Sequence, residues 1–372
     1  MELRNGKKMR TIFRGKKTDG EELLPGIKDD VTLDHITTKL SGRDIHVLAS
    51  VSRDWRRAIQ SREVYNARLR HGATETFVLI YHSRFKGIKE IFLCSMKDKT
   101  CYMLPPIVSE FSHRGKPQTK LVALDGRVYL VGKDLRLYVL DLAGQRQWKR
   151  CSSRGAKRFY DSFECGVMDG KIYVLTSDWS TIAGDRSQVY DLKLNTWSSI
   201  KPMPLLRDRY QLAVMRDELV LHSGKFGTES AECLNFYNPI KEEWRSVENV
   251  KRRMEQLFVA GGRLYSMSSV CIHVYAFHGN SWAEQHTFSF SAITQFDIIP
   301  LRVLAVDDEL LAILYFKNAY QVPFKDRSCL VRSKGFNSQN KELLWESAEF
   351  NAPCIELSRR DYSFYSISPI QF

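Results

Sequence analysis

The 372-residue sequence predicts a mainly β fold, six four-stranded sheets arranged in a ring, preceded by a small all-α unit. Three observations carry this expectation. A short apolar motif returns five times at a period of roughly 45 residues. A spaced tryptophan returns with it. Apolar residues before residue 70 recur at three- and four-residue spacing, and after residue 75 they do not.

Residues 1–20 hold seven basic and two acidic residues and few apolar ones. A segment of that composition has too little apolar surface to offset the entropy of ordering, so a disordered basic tail is expected. Lys7, Lys8, Arg10, Arg14, Lys16 and Lys17 would also serve as a nuclear-import patch. Residues 21–67 read as helical. Leu33, Ile36 and Leu40 form one periodic run, and Leu48, Val51, Trp55 and Ile59 a second. Pro25 and Gly26 punctuate the start, and Asp29 or Asp30 is expected to cap a first helix. Ser41-Gly42-Arg43-Asp44 separates the two runs, and a last short helix is expected over 62–69. Two or three short helices make a very small core, and such units commonly cover one apolar face with a partner.

From residue 75 the repeat takes over. The motif apolar-Asp-Gly-x-apolar-Tyr-apolar appears at Leu124–Leu130 and again at Met168–Val174, with weaker copies at 216–221, 261–266 and 307–312. The matched positions Tyr129, Tyr173, Val220, Tyr265 and Leu311 step by 44, 47, 45 and 46 residues. Within each unit a Tyr or Phe strand precedes a tryptophan, giving Trp148, Trp197, Trp244, Trp282 and Trp345 the same place on a fourth, outer strand. A four-stranded sheet of this size has two apolar faces and cannot bury both alone; radial stacking buries each against the next, which is a β-propeller. The Asp-Gly step turns the innermost strand into the second.

Five full units cover about 118–350. Ahead of them Phe77–Tyr81, Ile91–Cys94 and Cys101–Leu104 supply three strands. At the far end Tyr362–Ser368 alternates and has no unit of its own. It is expected to supply the missing innermost strand of the first blade, closing a six-bladed propeller over 75–372.

The propeller unit resembles the kelch repeat, with its Asp-Gly turn, apolar-Tyr-apolar strand, Tyr-Asp step and spaced Trp. It departs from the family at the glycine pair, of which Gly132 and Gly224 remain in two units. Residues 21–67 resemble an F-box through Leu24-Pro25, Asp29-Asp30, Leu33, Ile36, Leu40, Leu48 and Val51-Ser52-Arg53-x-Trp55-Arg56. The order of the two is similar to that of plant F-box/kelch-repeat proteins. The resemblance implies a non-catalytic substrate-recognition subunit of a Skp–cullin–F-box ubiquitin ligase. The F-box would bind a Skp-family adaptor, and through it cullin, with Leu24, Pro25, Ile27, Ile36, Leu40, Leu48, Val51 and Trp55. The propeller would capture the protein to be ubiquitinated. The alternative is a kelch scaffold with no link to ubiquitination.

The loops leading into the innermost strands carry Arg158, Tyr160, Arg207, Arg209, Arg252, Arg253 and Phe296. Basic and aromatic residues returning at one point of successive blades suit a protein target with acidic groups, and ordinary solvated loop charge is the alternative. The net charge of +13 fits the same partner class. No RNA- or DNA-binding motif accompanies it. No apolar run approaches the roughly 20 residues of a membrane helix and no secretory signal opens the chain, so a cytoplasmic or nuclear protein is expected. The eight cysteines show no CxxC and are expected to be reduced core residues. No metal, cofactor or catalytic fingerprint is expected: the nine histidines form no ligand triad, and no GxSxG, HExxH or phosphate-loop pattern appears.

Overall fold

The computed structural model describes residues 23–24, 26–83, 89–95, 97, 100–106, 119–132, 134–144, 146–152, 162–177, 187–201, 209–224, 232–250, 256–260, 262–267, 271–278, 281–289, 298–306, 309–316, 328–336, 343–347 and 364–371. The basic tail 1–20 lies outside them. The chain divides into two compact units, Met1–Thr74 and Glu75–Phe372.

The first unit is helical. A stretch of changing pitch opens it: α1 (Asp29–Val31), a π turn (Thr32–Ile36) and a 3-10 turn (Thr37–Lys39). Neither Asp29 nor Asp30 is the residue before this helix; Lys28 is, without a side-chain cap. Instead Asp29 accepts from the Leu23 amide at 2.8 Å and so ties the entering chain to the helix. Then come α2 (Gly42–Val51), α3 (Arg53–Gln60) and α4 (Glu63–Arg70). Ser41 caps α2: its hydroxyl accepts from the Asp44 amide at 3.2 Å and donates to the Asp44 carboxylate at 2.8 Å. The second apolar run is not one helix. Ser52 is extended (φ −147°, ψ 167°) and caps α3 by accepting from the Trp55 amide at 3.1 Å. Its local hydroxyl–backbone bond competes with helix continuation, which the apolar period cannot register.

In the second unit the described strands form six four-stranded antiparallel sheets. The first holds β1 (Thr76–Ser83), β2 (Lys89–Ser95) and β3 (Thr100–Met103). The second holds β4 (Thr119–Leu124), β5 (Arg127–Gly132), β6 (Leu137–Asp141) and β7 (Trp148–Ser152). The third holds β8 (Ser162–Met168), β9 (Lys171–Ser177), β10 (Gln188–Asp191) and β11 (Thr196–Ser199). The fourth holds β12 (Arg209–Met215), β13 (Glu218–Gly224), β14 (Glu232–Asn238) and β15 (Glu243–Val250). The fifth holds β16 (Gln256–Ala260), β17 (Arg263–Met267), β18 (Cys271–His278) and β19 (Ser281–Ser289). The sixth holds β20 (Ile298–Val306), β21 (Glu309–Phe316), β22 (Ser328–Phe336) and β23 (Leu343–Ser347). The last strand, β24 (Phe364–Gln371), returns to the first sheet and pairs with β1 from Thr76↔Gln371 to Ser83↔Phe364. It reaches three residues further toward the C-terminus than the alternating pattern suggested. The edge strands β24, β4, β8, β12, β16 and β20 each lie against the next, and β20 against β24 closes the ring.

The Asp-Gly turns have a backbone reason. Asp125 and Gly126 (φ 51° and 64°), and Asp169 and Gly170 (φ 51° and 70°), both sit in the left-handed region. A two-residue hairpin loop needs positive φ at both positions to match strand twist, and Asp-Gly reaches it at small cost. The strand alternation then serves two interfaces at once. In β9, Ile172 and Val174 pack with Tyr129, Val131 and Phe163 toward the second sheet. Tyr173 and Leu175 pack with Leu219, Leu221 and Tyr237 toward the fourth. All four are buried, so β9 reads as a continuous apolar run although it alternates in space.

The Tyr-Asp step and the tryptophan also have separable roles. Asp191 Oδ1 accepts from the Lys193 and Leu194 amides at 2.9 and 3.0 Å, and Asn238 Oδ1 from Ile240 and Lys241 at 3.0 Å, closing the turn into the fourth strand. Tyr190 packs on Trp197 and Tyr237 on Trp244, with ring centroids 5.0 and 4.8 Å apart. Trp148 Nε1 donates to the Pro105 carbonyl at 3.0 Å, and Trp244 Nε1 to the Lys201 carbonyl at 2.8 Å. Each of these indoles therefore hooks the outer strand of its sheet to the chain leaving the outer strand of the sheet before it.

One cysteine expectation is corrected. Cys94 and Cys101 are direct cross-strand partners on β2 and β3 and are joined by a disulfide. The pairing comes from hairpin register, which a seven-residue separation does not reveal. Cys151, Cys165 and Cys233 are thiols outside any disulfide.

Candidate functional site

The helical unit exposes several large apolar side chains. Its own core consists of Leu23, Ile45, Trp55, Ala58, Ile59 and Val64, with Leu24, Leu33, Leu40, Leu48 and Ala49 packed against it. Trp55 is 3% exposed, which corrects its assignment to a partner surface: the indole is the centre of the unit's own core. Leu24, Ile36, Leu40 and Leu48 are half-buried, each divided between the core and the surface. Ile27 and Val51 are outward, at 36% and 65% exposure. Pro25 lies outside the described residues.

Three exposed apolar residues were not singled out as site residues by the sequence reading, Leu69 at 46% among them. Val47 is 57% exposed and Val31 42%. Val47 and Val51 stand four apart on α2 and so share one helix face. The sequence signal for them was present: Val47 is out of phase with the run through Leu48 that serves the core.

The rest of the unit holds this face in place. Ser52 ends α2 after Val51, and Arg56 Nε reaches back to the Ala49 carbonyl at 3.1 Å, satisfying a free carbonyl at the end of α2. The Val-Ser-Arg-x-Trp-Arg run thus becomes an outward valine, a capping serine, a core indole and a guanidinium that caps the preceding helix. From α4, the buried Arg68 donates through Nη1 to the Thr37 carbonyl at 2.8 Å and the Leu40 carbonyl at 2.5 Å. It pins the chain just before α2. Asp34 pairs with Arg70 at 2.5 Å, and that bond to the guanidinium holds its carboxyl below the usual carboxylate range.

Of the basic and aromatic residues expected near the innermost strands, Arg209 opens β12, paired with Gly224. Arg158, Tyr160, Arg207, Arg252, Arg253 and Phe296 lie outside the described residues. Among the described residues, no cluster of three or more His, Cys, Asp and Glu has metal-ligand geometry, and no helix is long and apolar enough to cross a membrane.

No family model matches the chain. It is 26% identical over 188 residues to the Arabidopsis thaliana F-box/kelch-repeat protein At4g39580, covering 47% of this chain and 49% of that protein. To the Arabidopsis F-box/kelch-repeat protein At2g44130 it is 25% identical over 292 residues, covering 65% and 70%. Kelch-like protein 26 of Danio rerio matches at 29% over 110 residues, covering 26% and 18%. The chain spans about half the length of the first curated relatives it matches. A helical unit followed by a ring of four-stranded repeats, together with these likenesses, makes the chain similar to plant-type F-box/kelch-repeat proteins.

Proposed function

We propose that the chain is a substrate-recognition subunit of a Skp–cullin–F-box ubiquitin ligase. In this reading the helical unit is an F-box that binds a Skp-family adaptor, and the second unit is a six-bladed kelch propeller that captures the protein to be ubiquitinated. The observation that carries the adaptor half is the outward Val47–Val51 face of α2 on a unit whose tryptophan is already used inside. Burial of such side chains in a partner is worth roughly 1.5–3 kcal/mol each, a large inducement for a surface of this size. Ile27, Val31 and the outward parts of Leu24, Ile36, Leu40 and Leu48 extend the reading, with Pro25 beside them in sequence.

The propeller half rests on the closed succession of edge strands and on the kelch likeness of the relatives. Arg209 stands where the chain enters an innermost strand, and the target is taken to be a protein with acidic groups meeting Arg209 and Arg253. Such a receptor performs no bond chemistry. It raises the effective concentration of the target near the ubiquitin carrier, and that proximity is its whole contribution.

Co-purification with a Skp adaptor tests the reading. Capture at micromolar concentration supports the ligase subunit; failure to bind leaves a kelch scaffold with no link to ubiquitination. Arg209→Glu with Arg253→Glu should then abolish target ubiquitination while adaptor capture persists. Unchanged ubiquitination would move the target site to another face.

A further inference from the structure

A cavity of about 320 Å³ opens between the second and third sheets, lined by Arg127, Tyr129, Asp141, Lys149, Cys151 and Tyr190, with Val139 and Leu192 among its apolar walls. Three residues after the repeat tryptophan, the second sheet has Cys151, the third Ile200 and the fourth Val247. Ile200 is buried with Tyr173, Leu219 and Tyr237, and Val247 packs on the core between the fourth and fifth sheets. The thiol is the smallest of the three, and it lines the cavity together with Tyr129 and Tyr190.

The polar groups around this space are mostly donors. Arg127 Nε donates to Asp141 Oδ2 at 3.1 Å, and the guanidinium also bonds the Tyr129 hydroxyl, so that part of its fork of five N–H groups is engaged. Lys149 is exposed and adds a second cation against the single carboxylate of Asp141. Burial pushes the Cys151 thiol up to about 11 and the Tyr190 hydroxyl up to about 12, and it raises Tyr129 as well, so all three keep their protons at neutral pH. The Tyr190 hydroxyl donates a hydrogen bond to Asn195 Oδ1. The cleft therefore has two cations, one anion, the amides of Gln147 and Asn195, and flat or aliphatic walls, in the size range of small-molecule sites.

We propose that this cleft binds a small planar monocarboxylate, its carboxylate meeting Arg127 and Lys149 and its apolar body lying against Tyr129, Tyr190 and Cys151. The site is independent of the adaptor reading and would give the propeller a small-molecule ligand in addition to its protein target.

The test is titration of the full chain with 2-naphthoate, read by calorimetry and by the fluorescence of the tryptophans, with the uncharged 2-naphthamide as control. A dissociation constant at or below about 1 mM is expected for a ligand of this size. Binding of the amide should be at least about tenfold weaker. Cys151→Ile restores the bulk of the third sheet and should weaken naphthoate at least about tenfold with an unchanged melting temperature. Lys149→Glu, at an exposed position, should weaken it by a similar factor; if Cys151→Ile does not fold, this variant with the amide control decides. Absence of saturable binding in wild type overturns the proposal. So does Lys149→Glu failing to weaken binding. Retention of wild-type affinity in a folded Cys151→Ile variant would mean surface ion pairing alone, which also overturns it.

Discussion

Arg68 illustrates how far a single side chain can be from its sequence signal. As one of two arginines on the short helix α4 it reads as a surface charge, yet it is 3% exposed and bonds carbonyls 31 and 28 residues earlier. No local pattern carries a contact of that sequence separation. Each hydrogen bond from a charged donor is worth roughly 1.5–3 kcal/mol, so Arg68→Ala should destabilise the helical unit by at least about 2 kcal/mol. Arg68→Lys should recover only part of this, because an ammonium lacks the planar fork. Thermal unfolding followed at a helical circular-dichroism wavelength checks both; an alanine variant that melts with wild type removes Arg68 from the account. Trp55 teaches a related lesson. Helical spacing groups apolar residues on faces, but it does not say which face the unit covers itself, and so the indole was placed outward and Val47 was passed over.

The buried tyrosines make a prediction with a definite sign. Tyr173 and Tyr190 are pushed up to about 12 by burial, whereas an unfolded tyrosine titrates near 10. Above about pH 10 the unfolded chain loses protons that the folded chain keeps. Their contribution is therefore full below the unfolded value and is lost as pH rises through about 12. Melting temperatures measured from about pH 8 to about pH 11.5 should fall, and the fall should be shallower in Tyr190→Phe. An identical slope in the variant would show that Tyr190 is not the group titrating.

At the scale of elements, the repeat was the most legible feature, because a sheet of four strands imposes the same requirements each time it is built. The Asp-Gly turns, the Tyr-Asp step and the tryptophan each recur for a separate physical reason: positive φ, a turn-closing carboxylate or amide, and a hook between sheets. What the sequence could not show was cross-strand register, and the Cys94–Cys101 pairing is a property of register. The break between α2 and α3 was missed for a different reason, since the apolar period runs straight across Ser52. The closing strand gives the sharpest element-scale test. Ending the chain after Arg360 removes β24, leaving β1 without its inner partner and β20 and β4 without the strand that lies between them. Unpaired strand edges template association, so the truncated protein should aggregate and melt lower. Light scattering that finds it monomeric, with wild-type melting, would mean that the ring does not depend on this strand.

At the scale of the whole molecule, the chain has two units, and the proposed function gives each its own task, adaptor binding for the first and target capture for the second. The division was legible because the apolar period changes near residue 75, where a helical stripe gives way to strands that bury both faces. The proposed target surface rests on loop charge recurring from blade to blade, and of its residues Arg209 alone is among the described ones. The adaptor face is the firmer half, and calorimetric titration of a Skp adaptor into the full chain tests it most directly. Wild type should bind at micromolar concentration or tighter. Val47→Glu with Val51→Glu places two charges on the outward face of α2 and should weaken binding at least about a hundredfold, since desolvating each charge at an interface costs on the order of kcal/mol, with the melting temperature of the chain preserved. A folded double variant that binds the adaptor as tightly as wild type would contradict the claim that this face is where the adaptor sits.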